Sequence, residues 1–175
     1  MNIKKLCYTI IALWLFTNLL PAQDKTELID ENYKFRISIP AGWEQRKVEE
    51  TDKKDAISYS FDMKSGKMAA MLIAFKVDEV KNLTDLIYTL EKDLTLNIPK
   101  IDGDYTDFDS GNFDGRSAKY KDTEFVELIY YFRTKNTEGQ NYTYLLRFIV
   151  PSTYYNSSVE ADLKNIAGSF SPITE

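Results

Sequence analysis

The sequence predicts an α+β fold: an antiparallel β-sheet of about six or seven strands flanked by helices on both faces, an α/β/α sandwich. Three observations predict it. Several runs alternate apolar and polar residues and are joined by short turns, which implies antiparallel pairing. One run is apolar throughout, as a strand covered on both faces must be. Two further segments repeat their apolar residues at helical spacing.

The first strand is Tyr33 to Ile39. Tyr33, Phe35, Ile37 and Ile39 alternate with Lys34, Arg36 and Ser38, so one face is apolar and the other polar. Pro40 cannot donate to a ladder and ends the pairing. Ala41-Gly42 supplies a turn, and Trp43 is expected to fold back over the edge of the core. Glu44 to Asp55 is densely charged and reads as an exposed loop or strand edge. Ile57, Tyr59 and Phe61 mark a second strand. Lys64 to Lys67 is a turn, and Met68 to Val77 is the continuously apolar strand of a hairpin.

A helix is expected from about Leu83 to Asn97. Leu83, Leu86, Ile87, Leu90, Leu94 and Ile98 share one stripe, Asn82 is the candidate N-cap, and Pro99 stops the helix. Four strand-like runs follow: Tyr105 to Phe113, Arg116 to Lys121, Glu124 to Thr134 and Tyr142 to Val150. Asp114-Gly115 reads as a hairpin turn between the first two. A closing helix runs from about Thr153 to Ala167, with Ser157 and Glu160 at capping-box spacing and Gly168 at its end.

The N-terminus reads as an address. Lys4 and Lys5 precede a mostly apolar run from Leu6 to Leu20, and Leu20-Pro21-Ala22 fits a cleavage site. That run is about 15 residues, short of the ~20 a membrane-spanning helix needs. The expected organisation is a signal peptide over 1–22, a polar lead-in over 23–32, one domain over 33–170 and a tail over 171–175. The protein is expected to be periplasmic or secreted, with no membrane span after signal cleavage; the alternative is an uncleaved segment that stays as an anchor.

The chain of 175 residues has 22 basic and 27 acidic side chains, a formal net charge of −5. Losing Lys4 and Lys5 makes the mature domain more acidic still, which argues against nucleic acid as a partner. The single cysteine is Cys7, and the chain has no histidine. The mature domain therefore holds no disulfide, no thiol nucleophile, no Ser-His-Asp arrangement and no ordinary zinc site. No cofactor is expected.

The stretch Y-K-F-R-I-S-I-P-A-G-W at Tyr33 to Trp43 resembles the opening motif of PsbP-like domains. The order of first meander, helix, second meander and closing helix is similar, as is the ending Ile166-x-x-Ser169-Phe170. The resemblance covers about Tyr33 to Phe170. That family includes the photosystem II extrinsic protein, bacterial envelope lipoproteins of the DcrB type and a eukaryotic Ran-binding protein. It implies a non-catalytic protein that acts by binding other proteins. Cys7 stands at the start of the apolar run and not after it, where a lipid-bearing cysteine would be, so the chain departs from the lipoprotein members.

Three groups of residues are candidates for chemistry. Asp102, Asp104, Asp107, Asp109 and Asp114 carry the oxygen ligands calcium prefers, but Asp107 stands where an EF-hand needs Gly and no Glu follows at the twelfth position. Solvated carboxylates are the plainer reading, and no metal is assigned. Glu124 and Glu127 resemble a glycosidase pair, but positions three apart on a strand face opposite ways. Tyr130, Tyr131, Tyr142, Tyr144, Tyr154 and Tyr155 are mostly core candidates. Tyr131 and Tyr154 lie off the apolar stripes and are the candidate partner-binding residues. The expected function is an exported, non-catalytic binding or accessory protein of the bacterial envelope that recognises a protein partner. The alternative is a small-ligand or carbohydrate-binding domain with an aromatic-lined surface.

Overall fold

A computed structural model describes residues 25–78, 80, 82–93, 97–135 and 139–173. Residues 1–24, which carry the expected signal peptide, lie outside the described residues. The fold is mostly antiparallel sheet with two helices. Strands β1 (Lys25–Asp30), β2 (Phe35–Pro40) and β11 (Ser171–Pro172) form a small sheet in the order β1-β2-β11. The large sheet contains β3 (Trp43–Glu50), β4 (Ala56–Met63), β5 (Ala69–Val77), β6 (Lys100–Ile101), β7 (Thr106–Asp109), β8 (Phe113–Lys121), β9 (Phe125–Thr134) and β10 (Asn141–Pro151). Its order is β3-β4-β5-β10-β9-β8-β6, with β7 also on β8. Helices α1 (Leu83–Asp93) and α2 (Ser157–Gly168) complete the fold.

This differs from a single sheet of six or seven strands. The expected first strand is β2 of the small sheet, and Lys25–Asp30 is a strand rather than a lead-in. β1 escapes notice because it is half-covered. Leu28 leans on the core and Asp30 is buried, while Lys25, Thr26, Glu27 and Ile29 face solvent. Asp30 earns its burial by accepting bonds from the Asn32 and Tyr33 amides and, at 2.7 Å, from the Tyr59 hydroxyl. The expected tail at 171–172 is likewise strand β11, paired to Phe35 and Arg36.

The alternation read in the sequence survives in the packing. Tyr33, Phe35 and Ile37 are buried with Trp43, Tyr59, Phe61, Leu72, Tyr144, Leu146, Phe148, Leu163 and Phe170 in one cluster. A second cluster joins Leu83, Leu86, Ile87 and Leu90 of α1 to Ala118, Tyr120, Ile129, Tyr131 and Leu145. The apolar run of β5 serves both: Ala70, Leu72 and Ala74 enter the first, and Met71 and Phe75 pack on the second. Trp43 opens β3 and meets Phe148 edge-on at 6.3 Å.

The hairpin before the second meander turns elsewhere than Asp114-Gly115. β7 and β8 pair Asp109 with Asp114 and Phe108 with Gly115, so the turn falls at Ser110–Asn112, with Gly111 at φ 72°. Gly115 sits inside β8 for a steric reason. A Cβ there would lie 2.2 Å from the Phe108 ring and 2.6 Å from the Tyr131 carbonyl oxygen. α2 also starts later than its periodicity indicates. Asn156 is the N-cap, accepting from the Ser158 and Val159 amides, and Gly168 lies within the helix with Ser169 as C-cap. The stretch Thr153–Tyr155 precedes the helix, and Ser157 is not its cap.

Candidate functional site

Two hollows flank the β7–β8 hairpin. The first is a cleft of about 300 Å3 lined by Thr106, Phe108, Phe113, Ser117, Tyr130, Phe132, Lys164, Ala167, Gly168 and Phe170. Strand register builds it. Phe108, Gly115 and Phe132 face one another across β7, β8 and β9. Because Gly115 has no side chain, the Phe108 ring lies over it and reaches Phe132, with ring centres 5.3 Å apart. Phe113 and Phe170 flank Phe132 at 5.9 and 4.3 Å. The last turn of α2 and Phe170 close the other side.

Two residues along, the same three strands bring Thr106, Ser117 and Tyr130 into one row. These hydroxyls have no hydrogen-bond partner among the described residues, and none is fully shut off from solvent. Burial raises the Tyr130 phenol to about pKa 12, with the Glu160 carboxylate adding to the shift, so it is a neutral hydroxyl at ordinary pH. At the rim Lys164 pairs with Glu160 at 2.6 Å. The cleft thus has an aromatic end, a hydroxyl strip and a charge-balanced rim.

The second hollow, about 430 Å3, lies between the start of α1 and the hairpin. It is lined in part by Asn82, Thr84, Asp107, Asp114, Arg116 and Arg133. Its charges satisfy one another. Arg116 clasps Asp107 and donates to Thr84 Oγ1, while Arg133 clasps Asp114 at 2.7 and 2.8 Å and donates to the Val80 carbonyl.

The sequence-predicted residues fall elsewhere. Tyr131 is fully buried, because its face of β9 is the one α1 covers, so it offers no contact surface. Its hydroxyl donates to Glu91 Oε1 at 2.9 Å, beside Tyr120 at 2.5 Å on the same oxygen. Burial raises the pKa of both phenols. Tyr154 is half-buried, with Lys67 Nζ 4.7 Å from its ring centre. Neither residue lines the cleft.

Four of the five acidic residues are ion-pair partners, and Asp104 is exposed. Asp102 pairs with Lys119 at 2.9 Å, Asp107 with Arg116, Asp109 with Lys135 and Asp114 with Arg133. Hydrogen bonds from the paired cations lower the carboxyl pKa values of Asp102, Asp107 and Asp109. Among the described residues no group of three or more His, Cys, Asp or Glu is placed to hold a metal. Glu127 is buried and held by Arg147 through two bonds of 2.7 Å, whereas Glu124 is exposed. The two glutamates do not converge.

Sequence reasoning missed the cleft because its parts are distant in the chain. Tyr130 was among the tyrosines singled out, but the hydroxyl row exists only in the register set by the Ser110–Asn112 turn. The one available signal was the spacing of Phe108 and Phe113 about that turn.

No family model and no curated protein matches the chain. Among solved structures the chain is similar to the Saccharomyces cerevisiae Ran-binding protein Mog1p, with TM-score 0.50 and 13% identity over 87% of this chain and 97% of Mog1p. It is similar to a Bacteroides thetaiotaomicron protein, with TM-score 0.51 and 14% identity over 87% of this chain, and it spans 50% of that protein's length. A third is Mycobacterium tuberculosis LpqN, involved in cell envelope biogenesis, at TM-score 0.46 and 12% identity over 94% of this chain and 97% of LpqN. Identities this low describe a shared fold. The likeness to Mog1p shows a shared fold and nothing finer.

Proposed function

We propose that this chain is an exported, non-catalytic binding protein of the bacterial cell envelope that recognises a protein partner through the cleft between β7–β9 and α2. The observation that carries the reading is the cleft itself, an aromatic hollow whose three hydroxyls are left without partners among the described residues. An apolar pocket with a few convergent polar groups is the usual form of a small-molecule site, and the anchor side chains of a protein partner fill pockets of the same kind. Export rests on the signal-like pattern over 1–22, and no described helix is long and apolar enough to cross a membrane. Protein binding by a protein of this fold is stated in the name of Mog1p. The layering belongs to the same reading. α1 packs with Ile129 and Leu145, and α2 with Leu128, Tyr144 and Leu146, which are alternate residues of β9 and β10. Successive strand residues face opposite ways, so the two helices cover opposite faces of the large sheet.

The test is affinity capture of the C-terminally tagged chain from cross-linked envelope extract, beside the variant Thr106→Arg. Thr106 is exposed at the mouth of the cleft, so the variant blocks entry without touching the core. One partner at near-stoichiometric yield, lost with Thr106→Arg, is the expected outcome. A partner retained by the variant, or recovery of background alone with both proteins, overturns the reading.

The cleft's volume also favours a second reading, a small-ligand or carbohydrate-binding domain, since about 300 Å3 is the lower bound of ordinary small-molecule sites. Thermal shift against an aromatic and sugar panel separates the two, because a ligand that binds only the folded chain raises its melting temperature.

A further inference from the structure

The cleft's chemistry narrows what enters it. Its aromatic end is formed by Phe108, Phe113, Phe132 and Phe170, whose neighbouring ring centres stand 4.3 to 5.9 Å apart. Such spacings are those of edge-on and offset aromatic pairs, and Phe108 and Phe113 are only half-buried, so a further ring continues the array. An apolar cavity of ~150 Å3 accepts one benzene ring. At about 300 Å3 this cleft has room for a bicyclic one.

Charge and hydrogen-bonding capacity set the rest. Lys164 and Glu160 pair at the rim, so a charged occupant would have to break that pair. The row of Thr106, Ser117 and Tyr130 offers three hydroxyls with no partner among the described residues. Each hydroxyl carries one proton and two lone pairs, so such a row holds more acceptor sites than donors. It is completed by an occupant that donates.

We propose that the cleft accepts an uncharged bicyclic aromatic ring bearing an N–H at one edge, supplied by a tryptophan side chain of the protein partner. The inference rests on the cleft being the recognition site. Indole fits both ends. Its ring body enters among the phenylalanines and its N–H meets the hydroxyl strip, as buried tryptophan N–H groups generally require. Tryptophan is also among the side chains enriched at the centres of protein interfaces.

The experiment is two-dimensional amide NMR of the full chain, titrated separately with indole, 1-methylindole and N-acetyl-tryptophanamide. The first and third are expected to shift amides of β7, β8, β9 and the end of α2. 1-Methylindole, which has the same ring and no donor, is expected to bind about three- to tenfold more weakly, the worth of one hydrogen bond. The triple variant Thr106→Val, Ser117→Ala, Tyr130→Phe keeps the ring cavity, removes the whole hydroxyl row and is expected to abolish that difference. Equal binding of indole and 1-methylindole to the wild-type chain overturns the donor assignment while leaving the cleft a binding site. Indole bound without N-acetyl-tryptophanamide overturns the side-chain assignment in favour of a free small molecule. No shifts in β7–β9 with any ring overturns the cleft reading itself.

Discussion

Gly115 shows how one missing side chain sets the shape of the site. With hydrogen in place of Cβ, the Phe108 ring closes over β8 and becomes a wall of the cleft. In Gly115→Ala the new methyl meets both that ring and the Tyr131 carbonyl oxygen, and the carbonyl belongs to a strand that cannot swing aside. Overpacking of this kind costs ~1–3 kcal/mol. Denaturant unfolding of the variant should show a loss in that range. Introduced into a Phe108→Ala background, the same substitution should cost less than in the wild-type chain, because the ring clash goes and the backbone clash stays. A loss below about 0.5 kcal/mol, within the ordinary effect of surface substitutions, would show that Gly115 is not sterically required. In the sequence the same glycine, following Asp114, has the local appearance of a turn, and only the Phe108 ring across the hairpin explains it. Tyr131 was misplaced for a related reason. Off the main apolar stripe of β9 means facing α1, whose leucines bury Tyr131 in a second cluster.

At the scale of elements, β4, β5, β9, β10 and α1 were legible because each carries its own periodicity. Their ends were less so, because ends are set by single side chains. α2 is the case that bears on the site, since Lys164, Ala167 and Gly168 line the cleft from its last turns. Its start is fixed by Asn156, whose side-chain oxygen accepts from the Ser158 and Val159 amides at 3.0 and 3.1 Å. The candidate pair Ser157 and Glu160 is one residue out of place. Glu160 instead receives the Tyr155 hydroxyl and Lys164, which lower its carboxyl pKa, Lys164 foremost. Replacing an asparagine cap by alanine costs ~1 kcal/mol. Asn156→Ala should therefore lower stability by about that amount in denaturant unfolding. Ser157→Ala should leave it nearly unchanged, and the reverse order would return the cap to Ser157. β1 was illegible at this scale, because an edge strand with one half-buried leucine and a buried aspartate has no apolar stripe to read.

At the scale of the molecule, the pairing of β2 with β1 and β11 rather than with the large sheet depends on contacts between opposite ends of the chain. Ser38 and Ser169 bond reciprocally through side chain and backbone, and Tyr144 donates to the Tyr33 and Lys34 carbonyls. No local pattern encodes such contacts. What composition does reveal is how much of the interior is tyrosine, and this has a consequence for pH. Burial raises the phenol pKa of Tyr33, Tyr59, Tyr120, Tyr130, Tyr131, Tyr144 and Tyr155 above the usual 10.0, with Tyr130 at about 12 and the others higher. A raised acid pKa means that the fold binds these protons more tightly than the unfolded chain does. Their contribution is fully present below pH 10 and is lost as pH rises through the folded values. Guanidinium unfolding midpoints should therefore fall steeply above about pH 10. Tyrosinate absorbance should then appear in two parts, an early rise from accessible phenols and a later, cooperative rise that coincides with loss of far-ultraviolet circular dichroism. If all the phenols ionise in one gradual step while the circular dichroism holds, the tyrosines are not shielded as the packing requires, and the aromatic interior that shapes the cleft is looser than described.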